Sequence, residues 1–194
     1  MSDLNGTGVD VHARSLFEEN VRRCNDKAYN FAFRLTGNEQ DARDLVQEAF
    51  SHALEHLARY DPKRPFEPWL NRILRNIYLD SVRRYDRKHT VSLDGPSPIE
   101  DMPWENIIPG KDRTPAEQAD KKETEQLVQR ALDSVPVQYR TAVVLCDIEK
   151  YSYERISQIL ECPIGTVRSR IHQGRLLMRK SFEKLQMTQR KARV

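Results

Sequence analysis

The chain has 194 residues, a net charge of +3, 38% apolar and 31% charged residues, which suits one or two small domains rather than one large core. No stretch approaches the roughly 20 apolar residues of a membrane span, and the N-terminus has no apolar signal segment, so we expect a soluble cytoplasmic protein. Glycine is scarce, at seven residues, and β-branched runs with period-two alternation are hard to find. The composition therefore predicts an all-α fold.

The charge is distributed unevenly along the chain. Residues 59–88 carry nine Lys or Arg against four acidic residues, and residues 163–194 carry nine against one. Between them, residues 90–120 carry two basic and seven acidic residues. Two basic blocks on either side of an acidic one indicate a polyanion that is contacted at two places. For either block alone, an ordinary solvated helix face is an equally good interpretation.

The N-terminal part predicts a loose, disordered tail over residues 1–11 and then two helices. The first helix should run from about residue 12 to 35 and end at Gly37. Asn38 is the predicted N-cap of the second, whose apolar residues recur every three or four positions over 42–57. Its opposite face is polar and carries Asp41, Asp44, Gln47, Glu48 and Glu55.

Three prolines in residues 60–68 predict a loop before a third helix, from Trp69 to Arg87. That helix has an apolar face and a separate face carrying Arg72, Asn76, Asp80, Arg83 and Arg87. Residues 89–116 hold five of the ten prolines and show no periodicity, which predicts a flexible acidic linker between two domains.

The C-terminal part predicts four helices. One spans about residues 127–135, and a second is opened by Pro136 and continues to Ile148. Ser152 is the predicted N-cap of a third. A short connection follows, Cys162-Pro163-Ile164-Gly165, in which we expect Gly165 to permit the chain reversal.

The last helix, from about Thr166 to Leu185, is basic. Gly174 on its inner face should let another helix approach closely. The two helices around the turn are typical of a helix-turn-helix whose second helix enters the major groove of DNA. Arginine can bind guanine through two parallel hydrogen bonds, and Thr166 with the free N–H groups of the helix start can hold a phosphate. The outward residues are Arg168, Ser169, His172, Gln173, Arg175 and Arg179. A plain helical hairpin with a solvated basic face is the alternative.

The segment SYERISQILECPIGTVRSRIHQGR (152–175) resembles region 4 of bacterial RNA polymerase sigma factors of the extracytoplasmic-function (ECF) group, in the sigma-70 family. DARDLVQEAF (41–50) resembles the core-binding helix of region 2, and FEPWLNRILRNIYLDSVRR (66–84) resembles its promoter-melting segment. The resemblance implies region 2 over residues 12–88, a linker over 89–119, region 4 over 120–187 and a basic tail over 188–194.

The resemblance also implies roles for single residues. The helix of residues 41–50 would dock on the coiled coil of the polymerase β′ subunit, while the β subunit also contributes to core binding. Asn76 would contact an extruded base of the −10 element, next to a pocket formed by residues 61–66. The implied core-binding residues are Asp44, Gln47 and Glu48. The implied −10 residues are Phe66, Trp69, Arg72, Arg75, Asn76, Arg83 and Arg84, although Phe66 and Trp69 also suit a hydrophobic core. The implied −35 residues are Thr166, Arg168, Ser169, Arg170, His172, Gln173 and Arg175.

The sequence thus predicts an alternative sigma factor that binds core RNA polymerase, directs it to promoter DNA and promotes promoter opening. It would not be an enzyme, and we expect no cofactor and no small-molecule substrate. The resemblance implies an anti-sigma factor that masks both domains. His52 and His56 have the spacing of a metal pair but lack a third ligand nearby, so we predict no metal site. A conventional helix-turn-helix regulator that acts without polymerase, and a helical adaptor that binds no DNA, remain as alternatives.

Overall fold

The structure is a computed structural model that describes residues 11–88 and 115–192. Over these residues it contains seven α-helices and no strand, so the prediction of an all-α fold is confirmed. The helices are α1 (Val11–Thr36), α2 (Glu39–Glu55), α3 (Phe66–Lys88), α4 (Pro115–Asp133), α5 (Val137–Val143), α6 (Tyr153–Leu160) and α7 (Ile164–Ala192). The expected tail and most of the expected linker, residues 1–10 and 89–114, lie outside the described residues.

Helices α1, α2 and α3 pack on one another and form an N-terminal domain. Its core includes Phe31 and Leu35 of α1, Ala49 of α2 and Leu70 and Leu74 of α3. The predicted N-cap is present, because the Asn38 side chain accepts hydrogen bonds from the backbone N–H groups of residues 40 and 41. Helix α3 begins at Phe66, three residues before the predicted start, so that Pro68 lies in its first turn, where no N–H partner is required.

Helices α4 to α7 form a C-terminal domain in which α7 packs on α4, α5 and α6. Ser152 caps α6 as predicted, since its hydroxyl accepts the N–H of Arg155 at 3.3 Å. Helix α4 begins at Pro115, inside the segment expected to be linker, and α7 continues to Ala192, through the expected basic tail. The helix expected over residues 136–148 is α-helical only to Val143 and continues as a π-helical turn over Val144–Ile148.

Glu161 determines the turn between α6 and α7, and Gly174 determines how closely α7 packs on α5. The residue in the left-handed conformation is Glu161, with φ of 52°, whereas Gly165 already lies in the first turn of α7, so the expected role of Gly165 was wrong. The close approach expected at Gly174 is confirmed. A Cβ there would lie 2.5 Å from Cγ2 of Val143 and 3.0 Å from the carbonyl oxygen of Tyr139, so α5 and α7 are in backbone contact.

The two domains touch each other along a seam made by α1 and α3 on one side and α4, α5 and α6 on the other. Asp133 lies against Gly37, where an added Cβ would come within 2.5 Å of its carboxylate. Gly37 has φ of +71°, so glycine meets both a backbone and a steric requirement at this point. Nothing in the sequence pattern pointed to this contact between domains.

Candidate polymerase and nucleic-acid interfaces

The outer face of the first turns of α7 presents a polar and basic surface. Arg168 and Ser169 are exposed, and His172 and Gln173 are half-buried one turn further along. The Ser169 hydroxyl donates to the carbonyl of Thr166 at 3.0 Å, which fixes the start of this face. These side chains share one side of the helix, as a helix that reads a major groove requires.

Two other arginines of α7 are held by protein groups. Arg175 donates to Asp147 through Nη2 at 2.7 Å and Nε at 3.1 Å, and both side chains are mostly buried. This bidentate pair raises the pKa of Arg175 above its ordinary value. Arg170 is half-buried and its Nη1 lies 3.7 Å from Sγ of Cys162. A role of either arginine at phosphate stays a prediction, and Arg175 demonstrably fastens α7 to the π-helical turn.

The start of α3 combines an aromatic cluster with an ordered loop. The Trp69 ring lies 5.0 Å from Tyr60 and 5.4 Å from Phe66, and remains half-buried. In the loop, the Tyr60 hydroxyl donates to the carbonyl of Arg64 at 2.7 Å. Phe66 itself is only 1% exposed and packs edge-on against Phe17, so its ring offers no face to a base and supports the cluster from below. This burial favours the core role that the sequence also allowed for Phe66, and a direct contact of Phe66 with DNA stays a prediction.

The polar side chains along α3 differ in their surroundings. Arg75 is half-buried and donates to Oδ1 of Asn76 at 2.8 Å, which orients the amide predicted to meet an extruded base. Arg83 forms an exposed ion pair with Asp80 at 3.7 Å, and Nε of Arg84 donates to the Asp80 carbonyl at 3.2 Å. Arg83 and Arg84 thus form an exposed basic end of the face that begins at Trp69.

The exposed face of α2 carries the residues expected to bind core polymerase. Asp44, Gln47 and Glu48 are all exposed, and Asp44 accepts a hydrogen bond from Nε2 of Gln40 at 3.1 Å. Next to them an open groove between α1 and α2 exposes part of Phe50. The groove is lined by Asn25, Asp26, Tyr29, Asn30, Arg43, Val46, Gln47, Phe50 and Ser51. A polar rim beside an aromatic groove suits the docking of a helical partner.

The seam between the domains lies beside these surfaces and was not foreseen. Arg72 of α3 forms an ion pair with Glu161, the left-handed residue of the turn before α7. The buried Arg140 donates to the carbonyl of Leu35 and, at 3.3 Å, to the hydroxyl of Tyr78. No periodicity marks such residues, because a contact between domains leaves only isolated charged or aromatic positions in the sequence.

A second polar cluster of the seam surrounds Glu67. Its Oε1 accepts the hydroxyl proton of Tyr151 at 2.6 Å, and its Oε2 pairs with Nζ of Lys27 at 2.9 Å. Burial alone would raise the pKa of Glu67, but these hydrogen bonds and the Lys27 charge outweigh it and the pKa is lowered. The Tyr151 hydroxyl also accepts from Nδ2 of Asn71 at 3.3 Å, so Tyr151 joins α3 to the C-terminal domain twice.

Neither a cluster of metal ligands nor a candidate membrane-spanning helix occurs in the part of the chain that the structure describes. The His52 and His56 rings lie 4.4 Å apart, but no group of three possible metal ligands occurs among the described residues. Among those residues there is also no helix both long and apolar enough to cross a bilayer. The thiols of Cys24, Cys146 and Cys162 are free, and burial, followed by the Asp147 charge, raises the pKa of Cys146 to about 11.

Comparison with known proteins assigns a family to this arrangement of helices. Residues 21–88 match the model of sigma-70 region 2, and residues 125–178 match that of sigma-70 region 4. These matches cover the N-terminal domain from residue 21 onward, and the C-terminal domain from residue 125 through the helix-turn-helix to residue 178 in α7. The chain belongs to the sigma-70 family of RNA polymerase sigma factors, within the ECF group. A match to region 2 disfavours the alternative of a conventional regulator with an unrelated N-terminal domain.

The relatives support the ECF assignment. The chain is 42% identical over 170 residues to the ECF RNA polymerase sigma factor SigE of Mycolicibacterium smegmatis. The aligned region covers 88% of this chain and 63% of that protein. The chain thus spans less than two thirds of that relative. It is 33% identical to the ECF sigma factor SigW of Bacillus subtilis, with 87% and 90% covered, and 31% identical to the sigma-H factor of Pseudomonas aeruginosa, with 87% of each covered.

Two solved structures share the fold. The sigma factor RpoE of Bartonella quintana, in complex with the anti-sigma factor NepR, has a TM-score of 0.63 at 22% identity and matches 86% of this chain and 96% of its own. CnrH, in complex with the cytosolic domain of CnrY, has a TM-score of 0.60 at 21% identity, with 88% and 90% covered.

Proposed function

We propose that this protein binds core RNA polymerase, directs it to promoters and helps to open them, and that it carries out no chemistry itself. The observation that supports this most is the pairing of two distinct surfaces on two sigma-type domains. One is the helix-turn-helix face of α7, and the other is the aromatic and basic face of α3. Because it would act with RNA polymerase, we place it in the cytoplasm.

The division of labour follows from the chemistry of each surface. Arg168, Ser169, His172 and Gln173 would read the −35 element as duplex, supported by Thr166, Arg170 and Arg175. Trp69, Arg72, Arg75, Asn76, Arg83 and Arg84 would hold the −10 element as a single strand, with Phe66 as the packing support of Trp69. Aromatic stacking next to a basic track is how single strands are bound without a helix in a groove.

The polar face of α2 would dock on the β′ coiled coil through Asp44, Gln47 and Glu48, with the β subunit completing the core contact. These side chains are exposed, and they belong to a different helix from the residues proposed to bind DNA. Polymerase and DNA could therefore be bound at the same time. One structural neighbour is a sigma factor in complex with an anti-sigma factor, and the other, CnrH, is in complex with the cytosolic domain of CnrY. By analogy, we propose that an anti-sigma partner holds this protein inactive.

Promoter geometry requires the two domains to separate. The nominal positions −35 and −10 differ by about 25 base pairs, which is about 85 Å at 3.4 Å per base pair along one strand. In this structure the ion pair of Arg72 and Glu161 brings the two reading surfaces together. The 26 residues between α3 and α4, 89–114, can span at most about 90 Å when fully extended. The chain between the domains is thus long enough for both elements to be read at once.

Run-off transcription with purified core polymerase and a promoter library tests the proposal. Promoter-specific transcripts support it, whereas their absence together with operator binding by the protein alone would favour a conventional regulator. Arg168→Ala should weaken initiation that depends on the −35 element while core binding stays intact. Asp44→Arg should weaken core binding and leave duplex binding by α7 unchanged. An Arg168→Ala protein that loses core binding would contradict this division of labour.

A further inference from the structure

Glu161 lies where the two proposed DNA-reading surfaces meet. Its carboxylate pairs with Arg72 of the α3 face. Arg75, from the same face, and Arg170, from α7, are close enough to influence each other's charge, and Glu161 acts on Arg75 as well. The Glu161 carboxylate thus lies against the −10 surface at a point where Arg170, an arginine of the −35 surface, is also close to Arg75. In this arrangement, in which the two domains are in contact and which we call closed, the Glu161 carboxylate binds the Arg72 guanidinium. The oxygens of a DNA phosphate would otherwise bind the same group.

The backbone of Glu161 adopts a conformation that is unfavourable for glutamate. With φ of 52° the residue adopts the left-handed conformation, which glycine and asparagine accept more readily than glutamate. As the C-cap of α6, it would be expected to be one of those two residues. A glutamate there is therefore not explained by the turn itself, whereas its ion pair across the seam gives a reason for its charge.

Bonds elsewhere along the seam hold Glu161 against α3. Tyr151 joins Glu67 and Asn71 of α3 through its hydroxyl, at 2.6 and 3.3 Å. Arg140 is 9% exposed and joins the last turn of α1 and Tyr78 to the C-terminal domain. These contacts use neither Arg72 nor Arg75. The closed arrangement thus rests on more than the ion pair of Glu161, and each part can be altered separately.

We propose that Glu161 is an internal mimic of a DNA phosphate, which occupies Arg72 of α3 in the free protein and keeps the α3 face from binding single-stranded DNA until the domains separate. This inference rests on the proposed function, since it takes Arg72 and Arg75 as contacts to the −10 strand. Closure and strand binding are then mutually exclusive. The apparent affinity for a strand is reduced by the fraction of molecules that are closed.

The test uses the full chain without polymerase and a fluorescein-labelled, mixed-sequence 20-nucleotide single strand, with binding followed by anisotropy at several salt concentrations. Glu161→Asn suits the left-handed conformation and removes the charge, so it should fold and bind at least about five-fold more tightly. Each arginine that becomes available should steepen the salt dependence, with the slope of log K against log salt changing by about 0.7. Tyr151→Phe, which leaves every arginine and Glu161 in place, should also increase affinity.

Glu183→Gln is the matched control for the change in net charge. Glu183 lies in the same domain and pairs with Arg179 within α7, in an exposed ion pair. The Glu183→Gln variant should leave the affinity for the strand and the radius of gyration unchanged. Glu161→Asn and Tyr151→Phe should increase both. The radius of gyration is measured by small-angle X-ray scattering. The inference is overturned if Glu161→Asn binds the strand no better than Glu183→Gln, or if the domains separate without a gain in affinity.

A separate measurement keeps this inference distinguishable from the proposed function. Arg72→Ala is compared with wild type for promoter opening in the presence of core polymerase. If opening does not depend on Arg72, the assigned role of the α3 face is wrong, and the phosphate mimicry with it. If opening depends on Arg72 but Glu161→Asn gains no affinity for the strand, the proposed function stands and only the mimicry is refuted.

Discussion

Arg175 and Asp147 are joined by two parallel hydrogen bonds, at 2.7 and 3.1 Å, which tie α7 to the π-helical turn that ends α5. Their side chains are 21% and 16% exposed, so little water competes for either charge. Asp147→Ala should leave the guanidinium without its carboxylate and lower the free energy of unfolding by about 2 kcal/mol. Urea denaturation of the full chain measures this loss.

The control for that variant is the exposed pair of Arg179 and Glu183. Both of its side chains are more than half exposed, so Glu183→Ala should cost less than about 0.5 kcal/mol. Equal losses in the two variants would show that the bond to Asp147 is no stronger than a solvated ion pair.

The contact of Gly174 with α5 gives a second prediction. Gly174→Ala places a methyl group 2.5 Å from Cγ2 of Val143 and 3.0 Å from a backbone oxygen, so α5 and α7 must move apart. We expect a loss of about 1–3 kcal/mol in the free energy of unfolding, seen as a lower midpoint in urea.

Gly165 offers the matched substitution in the same helix. A Cβ at Gly165 meets nothing within 4 Å, so Gly165→Ala should be neutral or stabilise the protein by up to about 1 kcal/mol. A protein stabilised by alanine at both positions would contradict the close packing of α5 against α7.

Glu149 predicts a dependence of stability on pH. Burial, and then the charge of Glu67, raises the pKa of Glu149. A carboxyl group with a raised pKa binds its proton more tightly in the native state, so the native state loses relative stability as pH rises through that pKa. Glu149→Gln removes this loss and should be more stable than wild type in urea at pH 7, with the gain shrinking towards pH 4.

Glu154 should behave in the opposite way and serves as the comparison. The pKa of this carboxyl group, at the start of α6, is lowered by the backbone N–H groups there and by Ser152. The Glu154 carboxylate therefore stabilises the native state at pH values above its ordinary pKa. This stabilisation is lost as pH falls through the lowered pKa. Glu154→Gln should therefore be slightly less stable than wild type at pH 7. The same sign for both variants would refute this account of the two carboxylates.

The basic face of α7 predicts a change in salt dependence. If Arg168 neutralises a phosphate, Arg168→Ala should reduce the slope of log K against log salt for duplex binding by about 0.9. If it binds a guanine edge instead, the slope should change little and discrimination between bases should fall by about 1–3 kcal/mol. Titrations of the polymerase complex on −35 duplexes at several salt concentrations separate the two outcomes. If neither the slope nor the base discrimination changes in Arg168→Ala, Arg168 does not belong to the DNA-binding surface.

The sequence predicted those features that depend on local pattern. The caps at Asn38 and Ser152 and the close approach at Gly174 were predicted because each needs one residue type at one place on a helix. The early start of α4 at Pro115 was missed because prolines and acidic residues resemble a linker even where a helix begins. The chain reversal was expected at Gly165 because glycine is the usual choice at such a turn, whereas Glu161 gives no local sign of its left-handed conformation.

The contacts between the two domains could not be predicted from the sequence for a different reason. Arg140, Tyr151 and Glu67 are single polar positions whose partners across the seam lie 60 or more residues away, and no periodic pattern connects them. Phe66 shows the reverse limit. An aromatic residue at the start of a helix suits a core more often than a base platform, and the burial of Phe66, which the sequence does not show, favours the core.

Arg140 has a consequence for how the protein approaches a polyanion. Nη2 donates to the carbonyl of Asp133 at 2.7 Å and Nε to that of Val135 at 3.2 Å, so two of its partners belong to its own domain. If the domains part as proposed, water would replace Leu35 and Tyr78, and the guanidinium would stay bound to its own domain while becoming exposed. The closed protein thus keeps part of its positive charge inside. Opening would extend its attractive field outwards and speed its encounter with a negatively charged partner.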